Sequence, residues 1–242
     1  MILEVKNLEK SYPKFQLNKV SFQVKEGTIM GFIGRNGAGK STTLKCLLNQ
    51  VHPDGGEIRF FGKTFTENEL EIKKQIAFVS GGISFYPKKS LKTITAVTKR
   101  FYDNWDEAAY EHYLEIFKLD ESKTADQLSE GMKVKYLLSI AMSHGAKFLL
   151  LDEPTSGLDP VSREELLDIF EYLVKEKGVT ILFSTHIITD LEKCADDITY
   201  IREGEILACM DVNTFIEEHS TPEKKLSLEE IMVNLEKEKR LF

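Results

Sequence analysis

Gly34-Arg35-Asn36-Gly37-Ala38-Gly39-Lys40-Ser41 is a complete phosphate-binding loop. Its flanks decide how it is read. Ile29-Met30-Gly31-Phe32-Ile33 ahead of it has the apolar character of a buried strand, and Thr42-Thr43-Leu44-Lys45-Cys46-Leu47-Leu48 behind it reads as a helix. Strand, glycine-rich turn and helix in that order are the setting in which this octapeptide holds a polyphosphate. The glycines let backbone N–H groups curl around the anion without Cβ obstruction, and the helix aims its unpaired N–H groups at it. Lys40 is expected on the β- and γ-phosphates and the Ser41 hydroxyl on Mg²⁺. Gly34, Asn36, Gly37, Ala38, Gly39 and Thr42 complete the expected contacts to ATP or GTP.

The chain has 242 residues, 42% hydrophobic and 29% charged, the composition of one large globular unit or of one unit with an inserted lobe. No apolar run approaches the roughly 18 residues of a membrane span, and Met1-Ile2-Leu3-Glu4-Val5-Lys6 enters strand-like alternation without a secretory pattern. A cytoplasmic chain, held at a membrane only through a partner, is expected. The net charge of −7 argues against a general nucleic-acid surface. Cys46, Cys194 and Cys209 form no metal-ligand spacing and read as reduced thiols.

Strand patterns recur at Val20–Val24, Glu57–Gly62 and Ile76–Val79. From about residue 82 to 145 turn residues are few and apolar positions fall at helical spacing, as in Tyr110, Tyr113, Leu114 and Phe117, which predicts an inserted helical subdomain. Strand and helix then alternate: Lys147–Leu151, a helix from about Val161 to Lys177, Val179–Phe183, a helix around Ile187 to Cys194, and a hairpin turned at Glu203-Gly204. The expected fold is α/β, a mainly parallel sheet with helices on both faces, an antiparallel β subdomain and the helical insert. Residues 1–218 make the catalytic domain and 219–242 a C-terminal helical extension. Leu226, Leu228, Ile231, Met232 and Leu235 give that extension one apolar face, for packing on the domain or for a partner.

Leu149-Leu150-Leu151-Asp152-Glu153 is an apolar strand ending in two carboxylates. Asp152 stands where a phosphate-loop protein holds Mg²⁺, and Glu153 can take a proton from an attacking water. With Leu128-Ser129-Glu130-Gly131-Met132, which is similar to the signature LSGGQ, the chain resembles an ATP-binding-cassette (ABC) ATPase from about Met1 to Cys209. The resemblance implies that Ser129 and Gly131 contact the γ-phosphate held by an opposite subunit. Ser156-Gly157-Leu158-Asp159 resembles the loop between the two sites of a dimer, with Asp159 also able to cap a helix. Ser184-Thr185-His186 resembles the switch-histidine segment, with His186 on the γ-phosphate beside Glu153. Tyr12 lies where the family keeps an aromatic ring against adenine. The family's Gln or Glu after the strand at Ile76–Val79 is replaced by Ser80-Gly81-Gly82, so ATP is expected to bind and isolated hydrolysis to be slow.

Phe101-Tyr102-Asp103-Asn104-Trp105-Asp106 and Thr155–Pro160 resemble Gram-positive ABC-2-type exporter ATPases of bacitracin, lantibiotic and phenol-soluble-modulin systems. The implied function is an ATP-hydrolysing subunit, a homodimer or a heterodimer with a second ABC ATPase. It would drive a separate permease from the inner face of the cell membrane. The stretch 82–100, with Phe85, Tyr86 and Leu91, would meet that permease or pack within the helical lobe. A soluble ABC ATPase acting on nucleic acid or the ribosome, and a regulatory module with little turnover, are the alternatives.

Overall fold

Alternating and continuous apolar strands sort into two sheets. The computed structural model of the chain describes residues 1–80, 86–221 and 224–238. The antiparallel sheet contains β1 (Leu3–Tyr12), β2 (Phe15–Val24), β4 (Gly55–Phe60) and β5 (Lys63–Thr64), in the order β2-β1-β4-β5. In β2 the side chains of Leu17, Val20, Phe22 and Val24 are buried while Ser21 and Gln23 are exposed, the pattern of a sheet with one face on a core.

The second sheet has the order β10-β9-β3-β8-β7-β6. Here β3 (Ile29–Ile33), β6 (Ile76–Ser80), β7 (Phe148–Asp152), β8 (Thr180–Thr185) and β9 (Asp197–Arg202) run parallel. β10 (Glu205–Asp211) returns antiparallel on β9. All residues of β3 and β8 are buried, because helices and the first sheet cover both faces. Side-chain parity splits the apolar run of β7: Leu149 and Leu151 enter the larger core with Ile181 and Phe183, whereas Leu150 enters a second core with Phe32 and Leu182. Phe22 stacks on Phe32 with centroids 5.4 Å apart, joining the two sheets across that second core.

The helices are α1 (Lys40–Leu47), α2 (Phe65–Lys73), α3 (Leu91–Thr98), α4 (Glu107–Ile116), α5 (Glu130–Ser143), α6 (Pro160–Lys177), α7 (Ile188–Cys194), α8 (Val212–His219) and α9 (Leu228–Glu238). α3, α4 and α5 fall between β6 and β7. Asp159 accepts hydrogen bonds from Val161 and Ser162 N–H groups at the start of α6, Pro160 fits the first turn, and Gly178 at φ 65° ends it. Leu228, Ile231 and Met232 of α9 are buried in the larger core, with Leu226 and Leu235 packed on it. The C-terminal apolar face is therefore spent on the protein's own core. All three cysteines are unpaired, and burial pushes the thiols of Cys46 and Cys194 up to about 11 and about 12, which keeps them protonated and inert.

His144, just past α5, is 1% exposed and stacks on Tyr102 at 3.9 Å between centroids. Its Nδ1 has no hydrogen-bond partner among the described residues, and burial pushes its pKa down from 6.5 to about 4. Between those two values the unfolded chain binds a proton that the folded chain refuses. The associated stability is fully present above the unfolded pKa and is lost as pH falls toward the folded one, an effect on the order of 3 kcal/mol. Urea denaturation of His144→Phe should show a flatter fall in stability over that acid range than the parent. Identical slopes for the two proteins would refute this account.

Candidate nucleotide site

Parallel register brings three separate segments to one edge of the second sheet. β3 ends at Ile33, opposite Thr185 of β8, and Ser184 of β8 lies opposite Asp152 of β7. The phosphate loop, the carboxylate pair and the strand-end histidine thus share the carboxyl edge, where ligands bind in such sheets. Close packing fixes the loop. A Cβ on Gly34 would stand 2.4 Å from the Ile201 carbonyl oxygen, and Gly39, at φ 118°, would place one 2.8 Å from Leu17. The Arg35 carbonyl accepts from Ala38 N–H at 3.0 Å, and the Ala38 carbonyl accepts from Gly204 N–H at 2.9 Å, so the β9–β10 turn braces the loop.

Lys40 is 5% exposed; its Nζ donates to the Gly34 carbonyl at 2.6 Å and lies 3.2 Å from Glu153 Oε1. α1 begins without a side-chain cap and without an acidic residue in its first turn, leaving its N-terminus available to an anion. Arg35, Asn36, Gly37, Gly39, Lys40, Ser41 and Thr42, with Glu153 and His186, line a cavity of about 590 Å³, whereas Gly34 and Ala38 do not line it.

Hydrogen bonds knit the carboxylates together. Ser41 Oγ donates to Asp152 Oδ1 at 3.1 Å, and Ser184 Oγ donates to the same oxygen at 2.6 Å. Ser184 Oγ in turn accepts the Glu153 N–H at 2.9 Å. Glu153 adopts φ 52°, a left-handed conformation that costs a non-glycine residue on the order of 1–3 kcal/mol and occurs mostly where function requires it. Glu153 Oε2 meets His186 Nδ1 at 2.8 Å, so this carboxylate lies between an ammonium and an imidazole. Among the described residues no group of three or more His, Cys, Asp or Glu side chains could cage a metal. The Ser41 and Asp152 oxygens instead form a hard, incomplete donor set. This suits Mg²⁺, which keeps several waters and takes its remaining ligands from phosphates.

Ser129, Gly131 and Asp159 do not line this cavity. Ser129 is exposed and caps α5 by accepting Met132 N–H at 3.2 Å, Gly131 packs toward Leu158, and Asp159 caps α6. Tyr12 is 43% exposed at the tip of the β1–β2 hairpin, and the ring that lines the cavity belongs to its cross-strand partner Phe15. Phe15, and the bridging role of Ser184, escaped the sequence reading. Hairpin pairing across Pro13-Lys14 was the signal for the first and strand register against Asp152 for the second. Gly81 and Phe85 lie outside the described residues. Ser80 is exposed and pairs in register with Asp152. Of the two roles open to Leu91, permease contact or packing within the helical lobe, it has the second: it is fully buried there, its N–H bonded to the Lys123 carbonyl. Tyr86 is 65% exposed.

A phosphate loop, a strand-end carboxylate pair and a histidine on one parallel sheet edge define a P-loop nucleoside triphosphatase. Residues 17–156 match the ABC transporter family, and the chain belongs to that family as an ATP-binding-cassette ATPase. It is 34% identical over 209 residues to a bacitracin transport ATP-binding protein of Bacillus licheniformis, covering 85% of this chain and 68% of the relative. A lantibiotic transport ATP-binding protein of Streptococcus pyogenes is 34% identical over 213 residues, 85% of this chain and 89% of the relative. A solved ATP-binding subunit of an ABC transporter superposes with a TM-score of 0.85 at 29% identity, covering 97% and 99% of the two chains.

Proposed function

We propose that this ATPase powers an exporter, acting as a dimer of cassettes on a separate permease and so sitting at the inner face of the cell membrane. The observation that carries the reading is the division of the site. Lys40, Ser41, Glu153 and His186 line one cavity and Asp152 is bonded to Ser41, whereas the exposed Ser129 and the buried Gly131 stand at the start of α5, outside that lining. A second subunit brings those N-terminal N–H groups to the γ-phosphate.

ATP phosphates occupy the loop and draw Lys40 from Glu153. Ser41 and Asp152 would hold Mg²⁺, which would supply neutralisation of the phosphate charge. Glu153, oriented by His186, accepts a proton from water as the water oxygen bonds to the γ-phosphorus. The bond to the β–γ bridging oxygen then breaks, releasing ADP and phosphate. Loss of the γ-phosphate removes the contact that holds two cassettes together, and the dimer reopens.

Support for transport comes from the bacitracin and lantibiotic transport relatives, and for export from a Nod factor export ATP-binding protein of Burkholderia orbicola, 34% identical over 212 residues. No helix among the described residues is long and apolar enough to cross a membrane, which fits a permease on another chain. Tyr86, Val97 and Phe101 are exposed on the helical lobe as apolar contacts for it. Affinity purification of the tagged chain from detergent-solubilised membranes should bring down a polytopic permease, stable to high salt. Recovery instead of nucleic acid that washes off with salt would sink the exporter reading.

A further inference from the structure

α9 reaches the phosphate loop as well as the core. Between it and the loop lies a second cavity of about 290 Å³, walled by Ile33, Ile188, Met232 and Val233. Arg35 and His186 are walls of both this cavity and the nucleotide cavity. From α9, Glu236 Oε1 accepts the Tyr200 hydroxyl at 2.7 Å, and Glu236 Oε2 lies 3.5 Å from Arg35 Nη1. Arg202 Nη1 donates to the Leu235 carbonyl at 2.9 Å, and Tyr200 is the register partner of Ile33, the residue before the loop. One carboxylate therefore ties α9, β9 and the second residue of the loop.

We propose that Glu236 is a positioning residue for the phosphate loop, so that α9 sets nucleotide affinity without touching nucleotide. The Gly34 carbonyl holds Lys40 and the Arg35 carbonyl holds Ala38 N–H, so the loop keeps its anion-binding shape only while these two residues stay in place. Releasing the Arg35 guanidinium adds loop conformations that binding must then order. Arg35 is largely exposed, so water screens the pair and the effect is modest, about two- to five-fold in affinity.

This inference rests on the cavity being the ATP site and does not depend on dimerisation. Its test measures Kd for Mg-ATP together with KM and kcat. Glu236→Gln still accepts from Tyr200 but has no charge for Arg35; it should raise Kd and KM about two- to five-fold with kcat unchanged. Glu236→Ala should do the same and also lower the denaturation midpoint, which Glu236→Gln should not. Arg35→Ala combined with Glu236→Gln should be no worse than Arg35→Ala alone. Wild-type affinity in Glu236→Gln, or additive losses in the double variant, would overturn the proposal even while the parent binds Mg-ATP. Failure of the parent to lose Mg-ATP on Lys40→Ala would instead remove the site assignment beneath it.

Discussion

Glu153→Gln is expected to lower Mg-ATP hydrolysis by roughly 10²- to 10⁴-fold while ATP stays bound, and to hold the chain as a dimer. An amide occupies the same volume and can still accept from Lys40, which lies 3.2 Å from the carboxylate. It cannot take the proton that an attacking water must lose. The γ-phosphate then persists, and with it the contact expected between each loop and the Ser129 end of the opposite α5. Phosphate release reads the first effect and light scattering in saturating Mg-ATP the second. A variant that stays monomeric under those conditions would refute the two-subunit site, and undiminished phosphate release would refute Glu153 as the base.

Ser184→Ala should slow hydrolysis about ten- to a hundredfold and raise the Mg²⁺ concentration needed for half-maximal rate. A single hydroxyl both donates to Asp152 at 2.6 Å and accepts the Glu153 N–H at 2.9 Å. Removing it strips one donor from the metal carboxylate and loosens a glutamate already held at φ 52°. The remaining support for that N–H is the Ser184 carbonyl at 3.2 Å. Titration of Mg²⁺ at fixed ATP separates the two consequences. Equal rates and equal Mg²⁺ dependence in parent and variant would show that the hydroxyl is dispensable.

Much of this site was legible because its chemistry is local in sequence. The loop from Gly34 to Ser41 carries its own glycine spacing, and Asp152-Glu153 announces itself by closing an uninterrupted apolar strand. The strands came through for the same reason, since β3, β7 and β8 are apolar runs bounded by turns. What stayed hidden depends on pairing between distant segments. Ser184 gains its meaning only from standing opposite Asp152 in parallel register, and Glu236 only from α9 folding back over β9. Phe15 was overshadowed by Tyr12 because the family resemblance singles out one aromatic position, whereas the hairpin pairs the two residues in register. Ser129 and Asp159 were singled out by resemblance, and what the structure shows of each is a helix cap.

The strand that delivers both carboxylates belongs to two cores at once, with Leu150 on one side and Leu149 and Leu151 on the other. A change of volume in either core is felt along a close-packed interior and arrives at Asp152 without passing through a hinge. Robustness and turnover are consequently not independent traits in this protein. A substitution in either layer, chosen for stability alone, therefore also bears on the strand that carries Asp152.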